Sequence, residues 1–153
     1  MTAAVLRAPH SLPSESDSTD QPHSASHILV VDDDLDVREA LCEVLDDDGY
    51  QVSSAINGAD ALAQLASGLD PDLIVLDWKM PVMDGYGFLA KRAADPVLAR
   101  IPVIVVSATV DDRVHTIDAF PIRKPINLSH LLREIEQRIR SQRDLRGGSG
   151  DAR

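Results

Sequence analysis

The sequence has little cysteine, few aromatic residues and no long apolar run. Its single cysteine, Cys42, excludes an internal disulfide and is typical of a reducing compartment, so we expect a cytoplasmic location. No run of about 18 apolar residues occurs, and residues 1–26 hold no apolar core of a signal peptide, so we expect neither a membrane span nor an export signal. Acidic residues outnumber basic ones, and the resulting formal net charge of -10 argues against a broad nucleic-acid-binding face.

The composition changes at both ends of the chain. Residues 1–26 are rich in serine, proline, aspartate and histidine, which predicts a disordered N-terminal tail. Residues 144–153 finish in RGGSGDAR, which predicts a flexible C-terminal tail. The remaining residues, 27–143, are expected to form one folded domain with its own apolar core.

Short aliphatic runs recur through residues 27–143 and indicate buried strands. They are Ile28–Val31, Tyr50–Ala55, Leu73–Leu76, Ile101–Val106 and Phe120–Arg123. Apolar residues at helical spacing between and after these runs predict amphipathic helices, the last from about Asn127 to Arg143. This alternation predicts an α/β fold with a doubly wound parallel sheet that is covered on both faces.

Polar side chains gather where the predicted strands end. In an open parallel sheet, ligands bind outside the carboxyl ends of the strands, so these side chains are expected to lie together. Asp34 fits best as the N-terminal cap of the first helix. The strand-end residues are Asp32, Asp33 and Asp34 after the first strand, Asp77 at the third, Ser107 at the fourth and Lys124 after the fifth.

The acids of this set predict a metal site. Two carboxylates 4 Å apart repel by about 4 kcal/mol at an effective dielectric constant near 20, so such a cluster keeps protons or recruits a cation. Carboxylate oxygens that leave room for water suit Mg²⁺. An ionised aspartate is a nucleophile toward phosphorus, and Ser107 and Lys124 are suited to donate to phosphoryl oxygens. The residues therefore predict a Mg²⁺-dependent, phosphoryl-accepting site.

The motifs at the strand ends resemble those of response-regulator receiver domains of two-component signalling, the CheY-like family. The resemblance covers about residues 27–143, which is nearly all of the predicted folded part, and implies a five-stranded parallel sheet in the order 2-1-3-4-5, with five helices. The matching segments are LVVDDD at Leu29–Asp34, LIVLDWKMPVMDGYGFL at Leu73–Leu89, VIVVSA at Val103–Ala108 and RKP at Arg123–Pro125.

The resemblance also implies a role for each matching residue. Asp77 resembles the phospho-accepting aspartate, Asp33 the direct Mg²⁺ ligand and Asp32 an acid that acts through water. The backbone carbonyl of Lys79 would complete the metal ligands. Ser107 and Lys124 would bind phosphoryl oxygens, and the small side chain of Ala108 would leave the site accessible. Pro125 matches a proline that is often cis-linked in the family.

The chain departs from the family between Ser107 and Lys124, where it is several residues short. We therefore expect the family's fourth helix to be truncated or replaced by a loop. Pro121 occupies the position, three before the lysine, where the family often has an aromatic switch residue. Phe120 is one place away and would substitute only if the strand bulged. These departures leave open whether Ser107 is coupled to an output face and whether the domain has the family's dimer surface.

Three functions remain open at this point. The first is a stand-alone response regulator, not a turnover enzyme, that takes phosphate from a histidine kinase or phosphotransfer protein. It would then bind a downstream protein or relay the phosphate. We expect no direct nucleic-acid or membrane partner, and the sequence leaves open whether the domain forms a homodimer. The second is an aspartate-nucleophile phosphatase of the haloacid-dehalogenase type, which needs an acid at the position of Lys79. The third is a degenerate receiver that binds proteins independently of phosphorylation.

Overall fold

Strands and helices alternate along the chain in a computed structural model that describes residues 26–109, 113 and 118–151. No described helix combines the length and apolar character that crossing a membrane requires. A 3₁₀ turn at Leu98–Arg100 precedes the fourth strand. The elements are β1 (His27–Val31), α1 (Leu35–Asp47), β2 (Gln51–Ala55), α2 (Gly58–Ala66), β3 (Leu73–Asp77), α3 (Gly85–Ala93), β4 (Val103–Ser107), β5 (Phe120–Arg123) and α4 (Leu128–Asp151).

The five strands form one parallel sheet in the order β2-β1-β3-β4-β5. This confirms the predicted doubly wound α/β architecture. Because successive side chains of a strand point to opposite faces, neighbouring residues contribute to different core layers. Leu29 and Leu76 belong to the layer under α2 and α3, whereas Ile28 and Val75 belong to the layer under α1 and α4.

Side-chain caps and glycines define where the helices begin and end. Asp34 accepts hydrogen bonds from two backbone N–H groups of the first turn of α1, which confirms it as the cap of that helix. Asn57 and Asp84 cap α2 and α3 in the same way. Gly49 and Gly68, with φ of 100° and 111°, turn the chain just after α1 and α2, where a side chain would be strained.

The ends of the domain differ in detail from the sequence prediction. Ser26, which we assigned to the tail, is fully buried, and its hydroxyl lies 2.7 Å from Nη2 of Arg143. Residues 1–25 lie outside the described residues. The helix α4 continues to Asp151, past the predicted end at Arg143. Glycine weakens a helix without ending it, and no proline follows Pro125 to stop this one.

The register of β5 settles the position of Phe120. Phe120 pairs with Ile104, Pro121 with Val105 and Ile122 with Val106, so the described strand has no bulge. Phe120 therefore packs toward α4, where the guanidinium carbon of Arg138 lies 3.8 Å from the ring centre. Pro121 is exposed on an edge strand, a place where proline is tolerated.

The predicted truncation of the helix between β4 and β5 stays a prediction. The described residues of this connection are Ala108, Thr109, Arg113, Asp118 and Ala119, and none of them belongs to an α-helix. The other residues of the connection, 110–112 and 114–117, lie outside the described residues.

Candidate functional site

Three aspartates meet at the carboxyl edge of the sheet, as their strand-end positions predict. Val31 pairs with Leu76, so Asp32 and Asp77 follow side by side on adjacent strands. Among the described residues, one carboxylate oxygen from each of Asp32, Asp33 and Asp77 lies within 4.8 Å of the others. Asp32 and Asp77 are 4% and 7% exposed, whereas Asp33 is open to solvent. Two of the three carboxylates are thus buried, and the third is at the surface.

Lys124 is the cationic partner of Asp77. Its Nζ lies 3.2 Å from Oδ1 of Asp77, although β5 and β3 are not neighbours in the sheet. The backbone N–H of Lys124 donates to the carbonyl of Ser107 at 2.8 Å, which positions the residue at the end of β4. The peptide bond from Lys124 to Pro125 is cis, as the resemblance implied. Lys124 therefore reaches over β4 to the acid cluster.

The carboxyl group of Asp77 is difficult to ionise. Burial, followed by the negative charge of Asp32, raises the pKa of Asp77 to about 6 from its ordinary value of 3.8. The charge and hydrogen bond of Lys124 oppose this increase without cancelling it. A buried acid beside a second acid favours either a proton or an added cation. The electrostatics therefore support the predicted metal site.

Asp32 is held in place by its own loop and by α1. Burial raises its pKa, and the backbone N–H of Asp34, which donates to Oδ1 at 2.9 Å, acts in the opposite direction. Nη1 of Arg38 donates to the carbonyl of Asp32 at 2.8 Å. The sequence analysis did not identify Arg38, because no motif or spacing distinguishes it from a solvated helix residue.

Ser107 lies beside the acid cluster but bonds within its own turn. It is the residue after Val106, which pairs with Asp77, and it is only 8% exposed. Its hydroxyl donates to the carbonyl of Thr109 at 2.7 Å and accepts from the N–H of Thr109 at 3.2 Å. Ala108, the next residue, is exposed. A phosphoryl group on Asp77 would have to compete with Thr109 for the hydroxyl proton of Ser107.

The loop after β3 leaves no room for a side chain at position 85. A Cβ on Gly85 would lie 2.8 Å from Cε3 of Trp78 and 3.0 Å from the carbonyl oxygen of Asp77. The N–H of Gly85 donates to the carbonyl of Trp78 at 2.8 Å, closing the loop. Trp78 itself is 3% exposed and packs in the core, with the ring of Tyr86 edge-on at 6.2 Å. The sequence indicated only a turn here.

The donors present fit a hard divalent cation. Three carboxylates converge, two of them desolvated, and Mg²⁺ prefers oxygen ligands of this kind. Asp33 and Asp77 would hold Mg²⁺, with Asp32 acting through water. Lys79 is exposed, and its assignment as a carbonyl ligand rests on the resemblance alone. The roles of the individual site residues stay predictions.

Comparisons with known proteins agree with this geometry. The response regulator receiver domain family matches residues 28–136. The transcriptional regulatory protein PrrA of Mycobacterium leprae is 42% identical over 123 residues, which cover 76% of this chain and 51% of PrrA. This chain thus spans about half the length of PrrA.

Solved structures of similar chains share the fold. The CheY-like receiver domain protein of Methanospirillum hungatei aligns with a TM-score of 0.70 and 27% identity, over 79% of this chain and 98% of that one. TrrA of Thermotoga maritima, solved in complex with Mg²⁺ and BeF, aligns with a TM-score of 0.65 and 29% identity, over 74% of this chain and 98% of TrrA. Fold, strand-end residues and family match agree: the chain belongs to the response regulator receiver domain family.

Proposed function

We propose that Asp77 accepts a phosphoryl group from the phosphohistidine of a histidine kinase or phosphotransfer protein. One observation carries this proposal: Asp77 is buried beside a second acid, with a lysine ammonium 3.2 Å from its carboxylate. An aspartate that served only as a helix cap would need neither the second acid nor the lysine. Its pKa of about 6 leaves the carboxylate largely ionised, and therefore nucleophilic, near pH 7.

The transfer forms a bond between an Asp77 oxygen and phosphorus while the bond from phosphorus to the donor imidazole nitrogen breaks. The donor histidine leaves with the electron pair of that bond and takes a proton from water. Lys124 binds the transferred oxygens, because its Nζ is already at hydrogen-bond distance from Asp77. Mg²⁺, when bound by Asp33 and Asp77, supplies charge neutralisation for the same oxygens.

Phosphorylation would then change the turn after β4. Ser107 gives up its 2.7 Å bond to the carbonyl of Thr109 and donates to a phosphoryl oxygen instead. This exchange moves the turn that begins the connection to β5. The surface of this connection would therefore change on phosphorylation. That change would alter protein binding or make the phosphoryl group available for relay.

The proposal is tested with beryllofluoride and with acetyl phosphate, each added with Mg²⁺ to the full chain. Trp78 is the only tryptophan and follows Asp77 directly, so its fluorescence is a local reporter. We expect a saturable change in the wild type that is absent from Asp77→Asn, and stoichiometric labelling by acetyl phosphate that the variant lacks. Equal labelling of the two proteins would refute Asp77 as acceptor. Sustained turnover of an unrelated phosphomonoester would instead identify a phosphatase.

A second function, protein binding that is independent of phosphorylation, is favoured by one observation. Phe120 faces α4 beneath Arg138, and exposed Pro121 occupies the position of the family's aromatic switch. A receiver that lacks this switch would bind partners equally well with and without beryllofluoride. A partner whose affinity changes on addition of beryllofluoride and Mg²⁺ excludes this alternative.

A further inference from the structure

Arg38 of α1 contacts the loop between β1 and α1 at two points. Its Nη1 donates to the carbonyl of Asp32 at 2.8 Å, and its backbone N–H donates to the carbonyl of Asp34 at 2.9 Å. The second bond is the first backbone hydrogen bond of the helix, whereas the helix does not require the first. The two acceptors precede and follow Asp33, so the arginine holds the chain on both sides of this residue.

The side-chain bond fixes the peptide unit that joins Asp32 to Asp33. A peptide unit is planar, so the position of its carbonyl oxygen also sets the direction in which the next Cα lies. The N–H of Asp32 donates to the carbonyl of Ala55 at 3.1 Å, and its Oδ1 accepts from the N–H of Asp34 at 2.9 Å. The bond from Arg38 therefore completes the fixation of the backbone that leads into Asp33.

Asp33 depends on its backbone because its side chain is exposed to solvent. One of its carboxylate oxygens nevertheless lies within 4.8 Å of oxygens of Asp32 and Asp77. Two carboxylates 4 Å apart repel by about 4 kcal/mol at an effective dielectric constant near 20, so an unconstrained acid would turn away from the other two. The rotamers that a side chain can adopt depend on its backbone. A fixed backbone therefore keeps Asp33 on the side of the acid cluster.

The charge of Arg38 has the opposite effect on a bound cation. The arginine is partly buried, and the carbonyl that accepts its hydrogen bond does not neutralise the guanidinium. A positive charge near the acids repels Mg²⁺, so an arginine that acted through its charge alone would weaken the metal site. An arginine that positions Asp33 strengthens the site. The two roles therefore predict changes of opposite sign when a neutral side chain replaces the arginine.

We propose that Arg38 is a positioning residue of the metal site, which acts through its bonded carbonyl to hold the Asp33 carboxylate toward Asp77. The cation then binds to ligands whose arrangement exists before it arrives, and the loop loses little conformational freedom on binding. The inference rests on the metal roles proposed for Asp33 and Asp77, and it is independent of which protein donates the phosphoryl group.

Titration calorimetry with Mg²⁺ on the full chain at pH 7 tests the proposal. Arg38→Met keeps an unbranched side chain of good helix propensity and removes the donor. We expect its dissociation constant for Mg²⁺ to rise about tenfold, as for loss of a group that orients a metal ligand. Arg38→Lys, whose ammonium can donate to the same carbonyl, should restore most of the affinity. Unchanged or tighter binding by Arg38→Met would overturn the proposal, because the arginine would then act by its charge or not at all.

Arg133→Met is the matched control for the change of charge. Arg133 is an exposed residue of α4, and its replacement alters the net charge by the same amount as Arg38→Met. The affinity for Mg²⁺ should be unchanged in this variant. Equal changes in the two variants would reveal a general effect of net charge, which contradicts a specific role for the bond to the Asp32 carbonyl.

A double substitution tests whether Arg38 acts through Asp33. Asp33→Ala removes the carboxylate that the arginine is proposed to hold. Arg38→Met should therefore have almost no further effect on Mg²⁺ affinity in the Asp33→Ala background. If the two losses simply add, the arginine acts on the metal site by a route that does not include Asp33, and the proposal is wrong.

Amide hydrogen exchange in EDTA gives a readout without metal. The N–H of Asp34 bonds to Oδ1 of Asp32, so its exchange rate reports whether the loop is held. It should exchange severalfold faster in Arg38→Met, whereas the amide of Val75 in the buried strand β3 should keep its wild-type rate. Equal acceleration at both amides would assign Arg38 to the stability of the whole domain and refute the positioning role. Labelling of Asp77 by acetyl phosphate tests the proposed function separately, since neither measurement on Arg38 involves a phosphoryl group.

Discussion

Lys124 Nζ and Asp77 Oδ1 lie 3.2 Å apart, although Asp77 ends β3 and Lys124 directly follows β5, and β4 lies between these two strands. The contact forms because all five strands are parallel and end at the same edge of the sheet. The lysine side chain is 32% exposed and that of Asp77 only 8%, so the cation can respond to a new oxyanion while the acid stays fixed. This pair is the part of the site that a phosphoryl group would enter.

Replacing Lys124 by alanine should keep the fold and weaken the response to beryllofluoride. Its backbone N–H still donates to Ser107, and only the side-chain contact to Asp77 is lost. Loss of a charge-assisted hydrogen bond to the phosphoryl analogue is expected to raise the half-saturating concentration at least about tenfold. Trp78 fluorescence measures this, with Lys91→Ala, an exposed residue of α3, as the control. Unfolding of Lys124→Ala by circular dichroism would show instead that the lysine is structural.

Replacing Asp77 by asparagine should stabilise the metal-free protein at alkaline pH. The folded-state pKa is raised from 3.8 to about 6, so the folded protein binds the proton more tightly and loses stability as pH rises through that interval. Asparagine has no such titration. The variant should gain up to about 3 kcal/mol in free energy of unfolding at pH 8 and less than about 1 kcal/mol near pH 4.

Urea unfolding in EDTA at the two pH values measures this difference. Asp36→Asn, an exposed acid of α1, is the control and should show no comparable change between pH 4 and pH 8. A gain for Asp77→Asn that is the same at both pH values would contradict the linkage between stability and the ionisation of Asp77.

Replacing Asp33 by asparagine should weaken Mg²⁺ binding. Asp33 is exposed and completes the set of three carboxylates within 4.8 Å, so its charge contributes to the site without being needed for packing. We expect the dissociation constant for Mg²⁺ to rise at least about tenfold, as for loss of one ligand charge. Titration calorimetry measures it, again with Asp36→Asn as control. Unchanged affinity in Asp33→Asn would remove this residue from the metal site.

Adding a methyl group at Gly85 should cost more stability than adding one at Gly87. At position 85 the new Cβ meets the ring of Trp78 at 2.8 Å and the Asp77 carbonyl at 3.0 Å, both of which are held by the core. Gly85→Ala should lower the free energy of unfolding by about 1–3 kcal/mol.

Gly87 lies in the same helix and provides the comparison. Its Cβ would meet only the side chain of Met83, at 3.1 Å, and the cap oxygen of Asp84, at 3.5 Å. The higher helix propensity of alanine, about 1 kcal/mol, should offset that contact. Urea unfolding at pH 7 measures both variants. Equal losses at the two positions would show that the loop after β3 is not close-packed against Trp78.

Local patterns in the sequence predicted most of the fold and the core of the candidate site. The short aliphatic run Leu73–Leu76, between Pro71 and Pro81, favoured a buried strand over a helix, and the structure has a strand there. Asp34 was predicted to cap α1 because an acid directly before an amphipathic helix commonly accepts from its first N–H groups. The meeting of Asp32, Asp33 and Asp77 followed from the parallel order of the strands, which places all carboxyl ends together.

Only the tertiary structure decided features that depend on contacts between distant segments. The regular register of β5 turned Phe120 toward Arg138, which no local pattern around Pro121 determines. The close approach at Gly85 likewise depends on where Trp78 packs. The acids of the site could be predicted because strand order alone brings them together. Register, packing and the buried donors of Arg92 could not, because each depends on the positions of several chain segments at once.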